Sequence, residues 1–582
     1  MKLNLGAERN TQEPVAIPIQ ALRQHMHLIG YTGTGKTTAL ITLLLGLLPL
    51  VTQKKCVFII DRLGGFSMDL LRWFASQYCP AWVRERLIYI EASREDLVVP
   101  MNPLLHGTPG EGYYRTARAA EIVLRGWANQ DLAQMPRLAR WMFNSMYAVA
   151  LLGLTIADAA HLLFPQSNLH RRILNCLPEQ LRVEWELIIK ATGNQAEIQL
   201  ESTRNRLKPF FDCPGLRAMF SSATNCLDVG RWMREHKIVI INLAPMGKLP
   251  EQSADTLGGL IVNEIFSVAR SLPPELRKET LVILDEFQRF VGPDLEFSLA
   301  ESRQLKTSLL LSHQSFSQLK QGDVDLTSLI FQAQTRLALR VGGNDANILA
   351  EELAGMTYDP MKVKAEIWHR SQRVSGHRIM DLQSTSTSEQ FARQWSDTYG
   401  VKYSRNENRV QGAVTGESIS RGDQTNRGQG GSEGRGTTFG SHQSLVPIYE
   451  DYMQLASRTY ATFDEQKYEW AKKLRQLKRG QGVLQIVDDS RLYEVDIRKA
   501  THGVLALDWE KVQKRLPNVA DAYLRLIERN CQQEWFVSPA RIARETTERL
   551  QRVLQPPIVL QSPLISEPLG NEPSGQSDVD LL

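Results

Sequence analysis

Between His25 and Thr38 the chain reads His-Met-His-Leu-Ile-Gly-Tyr-Thr-Gly-Thr-Gly-Lys-Thr-Thr. An apolar run ends on Gly30, a glycine-rich turn follows, and a Lys-Thr pair opens an apolar helix, giving Gly-x4-Gly-Lys-Thr in strand, loop, helix order. Such a loop is a phosphate cradle. Glycines 30, 33 and 35 let successive backbone N–H groups turn toward one point, and the helix adds its unpaired N-terminal donors. The expected nucleotide contacts are Gly30, Tyr31, Thr32, Gly33, Thr34, Gly35, Lys36, Thr37 and Thr38. Lys36 would reach the β- and γ-phosphates of ATP, and Thr37 would ligate Mg²⁺.

A second pair of residues fits the same chemistry. Four apolar residues, Leu281 to Leu284, end in Asp285-Glu286. A strand that stops there fixes both carboxylates at its carboxyl end, where Asp285 can hold Mg²⁺ and Glu286 can orient and deprotonate an attacking water. The next apolar run ends in His313-Gln314, and Gln314 falls where a polar side chain would sit beside the γ-phosphate.

These residues need a sheet to hold them. Lys55–Asp61, Arg86–Ile90, Lys237–Leu243, Thr280–Phe287, Thr307–Gln314 and Thr335–Val341 are near-continuous apolar runs alternating with helical patterns, which predicts a parallel sheet covered on both faces. Asp61 then lies at the ligand-binding edge of that sheet. Pro14–Ile19 reads as an edge strand or strap. The spacing predicts helices at 68–76, 115–127, 138–152, 197–206, 254–270, 297–304, 345–353 and 463–477, a hairpin over 482–497, and a helical tail opened by Ser538-Pro539.

The expected organisation is a core in two halves, 1–110 and 236–360, around an inserted all-helical domain at 111–235. Arginines 115, 118, 125, 137 and 140 recur there at helical spacing. They could line a nucleic-acid backbone, although solvated helix faces are the preferred reading. Over 361–445 Ser, Thr, Gly, Arg and Gln dominate, which predicts a largely disordered linker, above all at 381–443. A helix and closing hairpin (446–500) and a helical tail with a loose acidic end (501–582) complete the chain.

With 582 residues, 42% hydrophobic content and a formal charge of +4, the protein is a multidomain globular chain, and its mild basicity decides nothing about nucleic acid. Its six cysteines, 56, 79, 176, 213, 226 and 531, form no Cys-x-x-Cys pair, so thiols in a reducing cytoplasm are expected. No signal peptide is visible, and the longest apolar run, Ala39 to Leu50, falls short of the roughly 20 residues that span a bilayer.

Taken together, the sequence resembles the HerA/FtsK superfamily of ring ATPases, and more closely the TraG-like coupling ATPases of conjugation and type IV secretion. The matching pieces are His25 to Thr38, Ile59-Ile60-Asp61, Asn102-Pro103-Leu104, Ile283 to Phe287, Glu301-x-Arg303 through Gln314, and Arg340-Val341-Gly342-x2-Asp345-Ala346. The resemblance implies a RecA-like α/β core, a homo-hexameric ring with ATP at subunit interfaces, and DNA in its channel. By position, Gln314 becomes the sensor glutamine, and Arg303, Arg336 and Arg340 become candidates to reach a neighbouring subunit's phosphates. It also implies relaxase, nuclease or secretion-apparatus partners. Alternatives are an ATP-gated scaffold or a protein-substrate translocase. Unlike membrane-anchored coupling proteins, the chain shows no spanning helix, and Arg62-Leu63-Gly64-Gly65 replaces the proline-containing turn common after the residue matching Asp61.

Overall fold

The computed structural model describes residues 2–51, 55–127, 135–165, 167–190, 195–290, 301, 304–321, 324–389, 402–410, 413–422, 435–499 and 509–553. They divide into two units, one formed by 1–357 with 467–582 and the other by 358–466.

The first unit is built on an eleven-stranded sheet. In chain order its strands are β1 (Lys2–Glu8), β2 (Pro14–Pro18), β3 (Met26–Ile29), β4 (Lys55–Asp61), β5 (Leu87–Glu91), β6 (Ile238–Asn242), β7 (Glu279–Asp285) and β8 (Thr307–His313). After a two-residue pair, β9 (Lys320–Gln321) and β10 (Val324–Asp325), comes β11 (Thr335–Ala338). The sheet closes with β16 (Gln481–Gln485) and β17 (Leu492–Ile497), the four strands between belonging to the second unit. Spatially the order is β2-β1-β17-β16-β11-β3-β8-β7-β4-β6-β5. From β11 to β5 every neighbouring pair is parallel, and the strands on the other side of β11 are antiparallel.

The mostly parallel α/β core is therefore as expected, and its strands are apolar for the expected reason. Val57 to Ile60, Ile238 to Ile241 and Val282 to Leu284 are wholly buried, because helices cover both faces. Helix Lys36–Val51 packs on one face with Phe66, Leu70 and Trp73 of helix Gly65–Ala75. The other face carries helix Glu251–Ser271 and the helical layer of 109–234. That layer was expected as an inserted domain. Its Trp141, Trp185, Phe210 and Trp232 instead share one continuous core with Phe58, Ile88 and Val239 of the sheet, since the helices bury their apolar stripes directly on the strands.

The C-terminal helices are docked on this unit. Strand β5 is a sheet edge, with backbone groups open to pairing. Asn530 covers it: its Oδ1 accepts from the Tyr89 N–H at 2.8 Å and its Nδ2 donates to the Tyr89 carbonyl at 2.7 Å. Further on, buried Arg549 donates to Asp158 at 2.7 Å and to the Ser221 carbonyl at 2.9 Å.

The second unit corrects the expected linker. Val363–Glu389 (β12) and Arg435–Tyr460 (β15) form a long antiparallel ribbon, and Lys402–Val410 (β13) pairs with Ala413–Gly422 (β14). The run Trp368-His369-Arg370-Ser371-Gln372-Arg373 shows no apolar–polar alternation, so no period-two signal marks the strand in the sequence. The remaining residues of 381–443, namely 390–401, 411–412 and 423–434, lie outside the described residues.

Replacing Asn530 by Ala removes both bonds to the edge strand, a loss of about 1–3 kcal/mol for buried groups left unpaired. Hydrogen exchange of the Tyr89 amide should accelerate by at least tenfold while exchange in β7 stays unchanged.

Candidate functional site

The carboxyl ends of β3, β4, β7, β8 and β11 meet at one edge, and the phosphate loop crosses it. Gly35 takes φ +115°, and a Cβ there would also meet the Gly480 backbone nitrogen at 3.3 Å. The loop is held from both flanks by backbone bonds: the Tyr31 N–H donates to the Arg340 carbonyl (3.1 Å), and the Gly480 N–H donates to the Thr34 carbonyl (2.9 Å). Gly480, in the turn before β16, carried no sequence signal beyond being a glycine. Its role is set by contact with a segment more than four hundred residues away.

Lys36 opens helix Lys36–Val51 and is buried, its Nζ donating to the Gly30 carbonyl at 2.7 Å and lying 3.9 Å from Glu286 Oε1. Burial lowers its pKa, while the Glu286 and Asp285 carboxylates act in the opposite sense. Thr37 and Tyr31 are exposed at the mouth, with Thr32 and Gly33, and Thr38 is half-buried. Thr34 turns inward, its hydroxyl donating to the Tyr31 carbonyl at 2.7 Å.

Glu286 sits at φ +55°. A non-glycine residue in that region stores about 1–3 kcal/mol of strain, which surrounding contacts must hold. They do so by aiming its carboxylate: Gln314 Nε2 donates to Oε1 at 2.8 Å, and Gln288 Nε2 donates to Oε2 at 2.7 Å. Gln314 Oε1 in turn accepts from the Thr32 hydroxyl at 2.8 Å. A continuous chain thus runs from the phosphate loop through the glutamine to the carboxylate. Gln288 went unnoticed in the sequence, where a glutamine two residues after a glutamate carries no pattern.

Asp285 lines a cleft of about 340 Å³ with Thr37, Asp61, Leu63 and Gly65. Burial first, and then neighbouring Asp61, push its carboxyl up to about 6. Asp61 has a different task. Its Oδ1 accepts from the N–H groups of Leu63 (3.0 Å) and Gly64 (2.9 Å), and its Oδ2 accepts from that of Ser67 (2.7 Å). It therefore caps helix Gly65–Ala75. The Arg62-Leu63-Gly64-Gly65 turn serves that cap: Gly64 takes φ +82°, where a Cβ would stand 2.8 Å from that of Ala244, and Arg62 pairs with Asp255. The oxygen donors Thr37 and Asp285 on one cleft suit a hard divalent cation that keeps most of its ligands as water and phosphate. No group of three or more His, Cys, Asp or Glu at metal spacing occurs among the described residues.

Of the three arginine candidates, the structure corrects one. Arg336 on β11 is buried, its guanidinium 4.5 Å from the centre of the Phe331 ring and its pKa lowered to about 10 by desolvation. It cannot reach another subunit, because it lies inside the sheet layer. Arg340 lies just beyond β11, exposed beside the loop. Arg303 lies outside the described residues. The helical-layer arginines are mostly committed: Arg115 to Glu264 (2.6 Å, buried), Arg118 and Arg125 to Glu121, and Arg140 to Glu184.

Behind the loop, His27 and His313 stack with ring centres 4.8 Å apart, and their Nε2 atoms are 2.7 Å apart. The 3.1 Å contact of His313 Nδ1 with the Ser315 carbonyl assigns the proton to Nδ1. His313 Nε2 then accepts, and His27 Nε2 donates. Burial pushes His313 down to about 3 and His27 well below the ordinary imidazole range. Both rings are neutral.

No protein-family model and no curated protein matches the chain. Solved structures similar to it include the bacterial conjugative coupling protein TrwBdeltaN70, at 14% identity over 86% of this chain and 89% of that one, with a TM-score of 0.48. The plasmid coupling protein TrwB in complex with ADP and Mg²⁺ aligns at 14% identity over 84% and 88%, with a TM-score of 0.46. VirB4 of Thermoanaerobacter pseudethanolicus aligns at 11% identity over 86% and 98%, with a TM-score of 0.43.

A histidine whose folded pKa lies below its unfolded value stabilises fully above the unfolded value, and that contribution is lost as pH falls toward the folded one. Below about pH 6.5 each ring should cost about 1.4 kcal/mol per pH unit. The drop in unfolding midpoint between pH 7.5 and 5.5 should therefore be smaller in His27→Gln than in the wild type. Asp285 titrates in the opposite sense, but it does so in both proteins, so the difference isolates the histidine pair.

Proposed function

We propose that the chain is a DNA-dependent ATPase of the coupling-protein/HerA type, hydrolysing ATP to move DNA through a homo-hexameric ring in conjugation, mobile-element maintenance or phage defence. The observation that carries the ATPase reading is the Thr32–Gln314–Glu286 chain, which aims a strained carboxylate at the cleft beside Lys36 and Thr37. The motif resemblance supports DNA as the partner.

In this reading Gly30 to Thr38 bind the triphosphate, with Lys36 leaving the Gly30 carbonyl for phosphate oxygens. Thr37 and Asp285 would hold Mg²⁺, which supplies Lewis-acid polarisation of those oxygens. Glu286 accepts the proton of the attacking water as the bond between the γ-phosphorus and the bridging oxygen breaks, leaving ADP and phosphate. Gln314 links Glu286 to Thr32, so a change at the γ-position reaches loop and base together. Arg340 and Arg303 are the candidates to act across a subunit boundary, since Arg336 is buried. No described helix is long and apolar enough to cross a membrane.

Lys36→Ala should abolish ATP binding in a filter assay. Glu286→Gln should retain ATP and lower turnover by at least a hundredfold. Wild-type turnover in Glu286→Gln would remove the assigned base. In the wild type, duplex or single-stranded DNA should raise the ATPase rate several-fold, and a rate indifferent to both would favour the scaffold or protein-translocase reading.

For the trans contact, a charge supplied from a neighbour is worth about 10³–10⁵ in rate. Arg340→Ala should thus be nearly inactive alone, yet regain activity when mixed with Lys36→Ala, because mixed boundaries then contain one intact site. No regain on mixing would place that charge elsewhere.

A further inference from the structure

Glu286 is held on both carboxylate oxygens, and the two holders differ in what they are themselves attached to. Oε1 accepts from Gln314 Nε2 at 2.8 Å and lies 3.9 Å from the Lys36 ammonium, so it is the oxygen turned toward the phosphate loop. Oε2 accepts from Gln288 Nε2 at 2.7 Å, and Gln288 is buried.

Gln314 also accepts from the Thr32 hydroxyl at 2.8 Å, so its hold on Oε1 moves with the phosphate loop. Gln288 belongs instead to the short 3₁₀ helix Phe287–Phe290, whose other residues are fixed on the body of the fold. Phe287 sets its ring edge-on to His313, with centres 5.4 Å apart. Arg289 pairs with Asp255 at 3.2 Å, and Phe290 covers Gly258, where a Cβ would stand 2.4 Å from its ring. These anchors lie on β8 and on helix Glu251–Ser271, not on the phosphate loop.

One hydrogen bond would leave the carboxylate able to swing about that bond. A second bond, on the other oxygen, fixes its plane. The gain matters because a misplacement of about 1 Å at a reacting centre costs about a hundredfold in rate. It matters more at Glu286, whose backbone at φ +55° is held only by its surroundings.

We propose that Gln288 is a positioning residue for ATP hydrolysis: it anchors Oε2 to the fold, so that Oε1 alone receives the proton of the attacking water. The inference rests on Glu286 as the base and divides its carboxylate into an anchored and a working oxygen. When Lys36 leaves for phosphate oxygens, Oε1 loses its cationic neighbour and keeps a lone pair open beside the bond from Gln314. The water's proton passes to that lone pair while the water oxygen bonds to the γ-phosphorus, and the bridging oxygen leaves on ADP with its electron pair. Gln288 acts through Glu286 alone. The two glutamines thus divide the work, Gln314 tying the base to the loop and Gln288 tying it to the fold.

The test uses the full-length chain. Gln288→Met keeps the side-chain length and removes the donor. Its kcat should fall at least tenfold, while ATP retained on a filter stays within twofold of wild type. Gln314→Met also breaks the link to Thr32, so it should change the ratio of ADP to ATP affinity, a ratio that Gln288→Met leaves unchanged. Adding Gln288→Met to Glu286→Gln should alter the residual turnover by less than twofold, because the group it positions is already gone. A role in folding alone would lower turnover in both backgrounds alike. Gln288→Glu is the second variant: its carboxylate repels Oε2 instead of holding it, so its kcat should fall below that of Gln288→Met. Wild-type kcat in either variant, a changed ADP-to-ATP ratio in Gln288→Met, or a further tenfold loss in the Glu286→Gln background overturns the proposal. Wild-type turnover in Glu286→Gln sinks the base reading itself, whereas an inactive Glu286→Gln beside an unaffected Gln288→Met sinks only the anchoring.

Discussion

Two carboxylates side by side in a buried sheet are the constraint from which the rest of the site follows. Asp61 and Asp285 are register neighbours on β4 and β7, and water is largely excluded from both. Two bare charges there would be costly. The structure resolves the conflict by unequal treatment. Asp61 is given three backbone N–H donors and capped into the start of a helix. Asp285 is left without such a set, and its pKa rises to about 6. An under-solvated acid facing a cleft is a cation ligand in waiting, because a divalent ion would favour its charged form. The same logic reaches Lys36, which lies against Glu286 and a backbone carbonyl instead of open water.

Most of the core was legible because its signals are local. The Gly-x4-Gly-Lys-Thr loop, Asp285-Glu286 and the apolar strands each lie within a few consecutive residues, and parallel burial makes the strands stand out as unbroken apolar runs. Gln314 was legible because it follows an apolar strand. Four features were not. The burial of Arg336 depends on Phe331 and β16 closing over it, which no spacing announces. Gln288 and Gly480 act through contacts that only the fold creates. The ribbon was missed because Trp368, Arg370, Gln372 and Val374, which share one face, mix apolar with polar side chains, so no alternation announces a strand.

The histidine pair shows how the loop is buttressed. His27 lies at the middle of β3, just before the loop, and His313 ends β8, just before Gln314. Stacked and sharing one hydrogen bond, they fix the spacing of the two strands that deliver the phosphate loop and Gln314. Charging His27 would set like charge near Arg336, charging His313 would do so near Lys36, and either would break the donor–acceptor order. The pair is therefore a neutral strut, and its cost in acid is the consequence of placing imidazoles where no water reaches.

The phosphate loop also meets, on its two flanks, the chain segments that lead to the ribbon. The Arg340 carbonyl holds Tyr31, and the helix Gly343–Thr357 that follows runs to the point where the second unit begins. On the return, helix Phe463–Gln476 leads to Gly480, whose N–H holds Thr34. Within the first unit these two helices are tied together: Lys467 pairs with Glu351 at 2.7 Å, Trp470 Nε1 donates to the Thr357 hydroxyl at 2.8 Å, and Arg475 donates to Asn347 at 2.8 Å. Both stems of the insertion are thus clamped to each other and end on adjacent turns of the loop. Helices are stiff, and a packed pair moves as a body more readily than it bends. A change in loop backbone at Tyr31 or Thr34 is accordingly felt by both of these helices within the first unit.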